Sequence, residues 1–274
     1  MSNRKRNAVA SFLTLTCLLL LLSPTAFSYA VKSGFVSNPV GSLNSPIVSS
    51  TNWAGYVAAS GRSPAPVVTA IYGSWIVQGV SPSTAAKYSS QWIGIGGFFN
   101  GDTSLIQTGT ESDSARGGTS YGVWWETLPQ AETKITEPVS AGDFIQASII
   151  CTMTCTSSTQ TWKITITDTT KGWTFTNTLT YSSRLKSAEW IEERPSICVL
   201  KVCKLAALAN FGTASYGQDY TSISGTGSAT IAGVTLPIGQ LPNSEIVMQS
   251  SGGSVIAQPS SISADGSSFT VAWG

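Results

Sequence analysis

Two stretches of the chain carry the side chains best suited to chemistry. One is residues 107–129, QTGTESDSARGGTSYGVWWETLP; the other is residues 187–195, SAEWIEERP. A carboxylate such as Glu193 can take a proton from water and return it to a leaving group. A carboxamide such as Gln107 offers donors and an acceptor at once, and its donors can stabilise an oxyanion. It also stays neutral at every working pH. If residues 187–194 form a strand, side chains alternate between faces. Glu189, Ile191 and Glu193 then share one face, and Trp190 and Glu192 the other. We therefore expect Glu193 on the concave face of a sheet, Gln107 in the same cleft, and Trp124 lining it. Trp53, Trp92 and Trp125 lie near these motifs and would suit a groove for either a sugar or a peptide. The plainer alternatives are a solvated acidic edge, a glutamine satisfying backbone groups, and tryptophans that are simply core.

What is missing narrows the chemistry. The chain has no histidine, which excludes Ser-His-Asp and Cys-His catalysis and the HExxH zinc sites. Gly118-Thr119-Ser120 resembles a serine-protease loop without its histidine partner. No Asp-Thr-Gly or Asp-Ser-Gly occurs, so a paired-aspartate site is unsupported. Charged residues make up only 11% of the chain, against about 25% in ordinary proteins. A fold that needs few ionised carboxylates loses less stability in acid. No basic patch suggests a nucleic-acid partner.

The elements that must position these residues are strands. Trp162, Ile164 and Ile166 alternate with Lys163, Thr165 and Thr167. Trp173, Phe175, Asn177, Leu179 and Tyr181 alternate with four threonines, and Phe269, Val271 and Trp273 alternate near the C-terminus. Short strands between Gly, Ser and Pro turns describe an all-β, two-sheet antiparallel sandwich with little helix. Gln107-Thr108-Gly109 reads as a turn, and residues 201–210 as the best helix candidate or a buried strand. Residues 1–30 read as a signal peptide, with basic Arg4, Lys5 and Arg6, an apolar run, and small residues before a cleavage point at Ala30. Cleavage leaves no stable membrane anchor, and takes the formal charge from +1 to −2, since this segment carries three basic residues and no acidic one. Residues 31–50 read as a linker or short pro-segment, and 51–274 as one domain in a secreted, extracellular, monomeric protein. Four cysteines remain after cleavage. Their close spacing suggests local bridges, Cys151–Cys155 and Cys198–Cys203, with a four-thiolate zinc site as the rival.

Four ordered blocks resemble the glutamic peptidases, or eqolisins. They are Asn52-Trp53-Ala54-Gly55, then Trp92-Ile93-Gly94-Ile95, then Gln107-Thr108-Gly109 with Tyr121 to Glu126 and Pro129, and finally Ala188 to Glu193. The resemblance implies a lectin-like β-sandwich jelly roll and an acid endopeptidase acting on polypeptides without metal or cofactor. It implies Gln107 and Glu193 as the catalytic pair, with Trp53, Trp92, Trp124 and Glu126 binding substrate. It also matches Cys198 and Cys203 to a small disulfide loop. Gly96, Gly122 and Arg194 stand where the family carries aspartates, so the cleft is expected to hold fewer acids and to work at a less extreme pH. The alternative chemistry on the same sandwich is a glycosidase or carbohydrate-binding protein using Glu126 and Glu193.

Overall fold

The computed structural model describes residues 47–59, 67–199 and 202–274. The signal-peptide segment and all but the end of the expected linker lie outside the described residues. In chain order the strands are β1 (Ile47–Ser50), β2 (Trp53–Ala59), β3 (Val68–Ile76), β4 (Lys87–Gly96), β5 (Leu105–Ala115), β6 (Gly118–Thr127), β7 (Thr133–Ile135), β8 (Phe144–Met153), β9 (Gln160–Asp168) and β10 (Trp173–Tyr181). They continue with β11 (Ser187–Glu193), β12 (Ser196–Val199), β13 (Val202–Leu205), β14 (Thr213–Tyr216), β15 (Ser228–Ile231), β16 (Val234–Pro237), β17 (Asn243–Gln249), β18 (Val255–Pro259) and β19 (Phe269–Trp273). The one α-helix among the described residues is the single turn Gln218–Thr221.

The pairings resolve into two layers. The front sheet runs β17-β2-β11-β4-β5-β6-β7. The back sheet runs β18-β19-β14-β3-β8-β9-β10. Strand β17 pairs with β2 at its start and β18 at its end, so it passes from one layer to the other. The expected all-β sandwich is therefore present. Its inner faces are the apolar sets of the alternating strands, such as Ile164 and Ile166 of β9 against Ile93, Ile95 and Trp190 of the front sheet. Full burial of such side chains contributes roughly 1.5–3 kcal/mol each. Indole and phenol groups stitch the layers: Trp75 Nε1 donates to Thr110 Oγ1, Trp190 Nε1 to the Tyr72 carbonyl, and Tyr216 Oη to the Ile191 carbonyl.

Three local expectations are corrected. Gln107-Thr108-Gly109 is not a turn but lies inside β5; the turn is Arg116-Gly117, where both residues have positive φ. Of the two readings of residues 201–210, the strand is present at residues 202–205, where Cys198 and Cys203 face each other across the β12–β13 hairpin and are bonded, but its residues 203–205 are exposed rather than buried. The linker assigned to residues 31–50 extends too far, since Ile47–Ser50 pairs in parallel with β17. Cys151 and Cys155 form the second bridge, so all four sulfurs are in disulfides and none is left as a zinc-binding thiolate.

Candidate active site

The front sheet places its functional side chains in rows on the face turned away from the core. Register across β11, β4, β5 and β6 gives the row Glu189, Gly94, Gln107, Glu126. Two residues along comes Ile191, Trp92, Gly109, Trp124, extended by Lys134 of β7. Two further along comes Glu193, Ser90, Glu111, Gly122. Strand alternation puts all three rows on one face. Gln107 and Glu193 thus stand on a diagonal, with Trp92 and Trp124 in the row between. Glu192 goes to the opposite face, into the core, as the alternation of β11 predicts. There Gln78 Nε2 donates to its Oε1 at 2.8 Å.

Gln107, Trp124, Glu126 and Glu193 all line one cavity, together with Tyr88, Ser90 and other groups. Its volume is about 20 Å³, room for about one water molecule. Gln107 is 1% exposed. Its Nε2 donates to Glu126 Oε2 at 2.5 Å, and its Oε1 has no protein partner. Glu126 therefore orients the amide, leaving the second N–H and the carbonyl oxygen for whatever enters the cavity.

Glu193 is held from behind. Trp92 Nε1 donates to its Oε2 at 2.7 Å, and Asn52 Nδ2 to its Oε1 at 3.3 Å. Trp53 is a further partner, packed edge-on against Trp92 with centroids 4.9 Å apart. Ser50 Oγ in turn donates to Asn52 Oδ1, which fixes the amide. Burial pushes the Glu193 carboxyl up to about 7, against the smaller downward pull of these donors. Trp53 and Trp92, expected along the substrate groove, are buried and reach the site through the Glu193 carboxyl.

Gly109 explains itself here. A Cβ on it would stand 2.3 Å from the Gln91 carbonyl oxygen and 2.5 Å from Trp92 Cβ. The glycine of the Gln-Thr-Gly block serves the seat of Trp92, not a turn. Gly109→Ala should cost about 2–3 kcal/mol in urea unfolding and lower activity through Trp92 and Glu193. A stable, fully active Gly109→Ala protein would contradict this placement.

The cleft also holds acids that the motifs do not include. Glu111, Asp113 and Glu132 line the same cavity. Where the family aspartate is replaced by Gly122, the Glu111 carboxyl folds over the vacant position: a Cβ there would lie 2.4 Å from Glu111 Oε1. The signal was available, because Glu111 and Asp113 have the same parity as Gln107 along one strand. Asn52 was seen only as part of a motif, and nothing local in the sequence reveals its bond to Glu193, 141 residues away.

Fold and cleft together define an all-β hydrolase. The chain belongs to the peptidase A4 family, whose family model matches residues 51–265. No curated protein sequence gives a significant match. Among solved structures, scytalido-glutamic peptidase with a peptide-based transition-state analog superposes with a TM-score of 0.64 at 19% identity, covering 82% of this chain and 98% of that one. SCP-B, an eqolisin in complex with the tripeptide Ala-Ile-His, gives 0.61 at 19% identity, with the same coverage of 82% and 98%. Aspergilloglutamic peptidase from Aspergillus niger gives 0.54 at 26% identity, covering 69% of this chain and 99% of that one.

Proposed function

We propose that this peptidase is an exported endopeptidase of mildly acid medium, with Glu193 and Gln107 acting on one water. The observation that carries the reading is that both side chains line a single water-sized cavity on the open face of the front sheet. Glu193, as carboxylate, removes a proton from the water as its oxygen attacks the peptide carbonyl carbon. The Gln107 Oε1 accepts a hydrogen bond from the water's remaining O–H, and the free N–H of Nε2 stabilises the oxyanion. Glu193 then gives its proton to the leaving nitrogen as the C–N bond breaks. No step calls on a metal or cofactor. Polypeptide as substrate is supported by the family and by the peptide ligands of the similar structures. The basic, apolar, small-residue order of residues 1–30 supports export.

A general base works best when its pKa lies near the working pH. With Glu193 raised to about 7, kcat/KM should climb through pH 4–6 with a slope near one. The rate should then level off near pH 7, where Glu193 becomes ionised, less acid than a cleft base of ordinary pKa would give. The test is digestion of a denatured protein across this range, with cut sites mapped by mass spectrometry. A rate that is flat from pH 3 to 6 would remove Glu193 as the titrating base. Absence of cleavage at every pH would remove the reading itself.

A further inference from the structure

The back sheet ends in β10, which pairs with β9 alone among the described residues and so leaves one side of its backbone open. From Trp173 to Tyr181 its sequence is WTFTNTLTY. Outward from Asn177, both directions give threonine, a large apolar residue, threonine and an aromatic residue. We propose that β10 pairs antiparallel with β10 of a second copy of this chain, centred on Asn177, in place of the expected monomer. The two back sheets then become one.

Three observations carry it. First, this edge is unguarded. An open strand edge is a template for another strand, and proteins blunt such edges with short strands, charges, proline or bulges. Edge strands β1, β7 and β16 follow that rule: they have four, three and four residues, β7 carries Lys134 and β16 ends in Pro237. Strand β10 has nine residues, no charge and no proline, and it follows β9 without a register shift. Second, the sequence is its own complement. Pairing centred on Asn177 sets Phe175 opposite the partner's Leu179, and each threonine opposite a threonine. Third, the Asn177 carboxamide has no hydrogen-bond partner among the described residues. It sits half-buried on the same face as Phe175 and Leu179. At the axis two such amides can each donate to and accept from the other. One polar residue in an apolar row is a device that fixes register.

Opposed residues of an antiparallel pair point to the same face. Phe175 and Leu179 pack against the core but stay partly exposed, and the second copy covers them. On the outer face the threonines extend a ladder already begun within the chain, where the Thr174 and Thr167 hydroxyls are 3.0 Å apart. Lys163 of β9, opposite Thr178, is the nearest charge on that face. Three strand spacings separate it from the β9 strand of the second copy, about 14 Å, beyond the screening length of about 8 Å. The two-fold axis of such a pair runs normal to the sheet, so both catalytic clefts open on the same side. Nine residues a side fall short of the roughly 20–30 of a standard interface, so the association is weak.

The experiment is sedimentation velocity of the purified protein over a concentration series. It should show a reversible monomer–dimer equilibrium with a Kd of about 1–100 µM. Asn177→Lys sets ammonium against ammonium at the axis and should weaken the dimer at least about tenfold, leaving the melting temperature of the dilute protein unchanged. Cysteine variants then read the register, since all four cysteines of the described residues are already bonded. Opposed Cα atoms stand about 4.5–5.5 Å apart, within disulfide reach, so Asn177→Cys should convert to a covalent dimer on oxidation. Thr174→Cys should not, because its two copies would lie six residues apart along the strands, about 20 Å. A protein monomeric at every concentration, a dimer that Asn177→Lys leaves intact, or equal cross-linking of the two cysteine variants overturns the proposal. If Asn177→Lys fails to fold, the cysteine pair still decides.

Discussion

Glu193→Gln should fold and lose about 10³-fold or more in kcat/KM on peptides. The substitution keeps the shape of the side chain, and its one oxygen can still accept from Trp92 Nε1. Its new NH₂ faces the Asn52 donor, a local conflict of about 1–3 kcal/mol. Loss of the buried carboxyl offsets part of that cost. What cannot be replaced is the proton shuttle, since an amide neither takes a proton from water nor returns one. Gln107→Ala should lose about 10²–10³-fold, the usual cost of one oxyanion donor. The double variant should be hardly worse than Glu193→Gln, because both groups act on a single water and such effects are not additive. Turnover near wild type in Glu193→Gln would end the mechanism. A Glu126 and Glu193 pair acting on a sugar, the alternative chemistry, would survive Gln107→Ala.

Much of this site follows from period-two reasoning. Alternation along β11 was enough to separate Glu193 from Glu192, and the structure puts them on opposite faces of one strand. The same rule, extended along β5, places Glu111 and Asp113 with Gln107, but a turn at Gln107-Thr108-Gly109 hides that parity. Register is another matter. Whether Gly94 faces Gln107 and Ser90 faces Glu193 depends on which residues of separate strands are paired. No local pattern encodes that. Strand β1 was missed for a similar reason: four residues following a Ser- and Pro-rich stretch are ordered by β17, almost 200 residues later. The tryptophans show the limit of residue type as a guide. Indoles can floor a groove or brace an acid, and only their Nε1 partners tell which.

Stability should be highest in acid and fall as pH rises from about 4.5 to 8. The sequence offered low charge content as the reason for acid tolerance, but the structure supplies a different one. Burial raises Glu193 to about 7, and holds Glu189 and Glu192 well above 4.5. It also raises Asp113 and Glu132 to about 8. A carboxyl with a raised folded pKa binds more protons in the native state than in the unfolded chain. Its stabilisation is complete below the unfolded pKa and is lost as pH climbs to the folded one. For Glu193 alone, the rise from 4.5 to about 7 corresponds to about 3 kcal/mol. Summed over the buried set, the loss is a sizeable part of the 5–15 kcal/mol that holds a typical domain. The melting temperature should therefore drop by at least about 10 °C between pH 4 and pH 8. Glu192→Gln gives the control, because a neutral amide can still accept from Gln78 Nε2 and reach the Tyr216 hydroxyl, 3.5 Å from Oε2. That variant should melt higher than wild type at pH 8 and no higher at pH 4. A melting temperature that is level or rising from pH 4 to 8 would mean that the buried acids are ionised in the fold, contrary to the linkage that also sets the working range of Glu193.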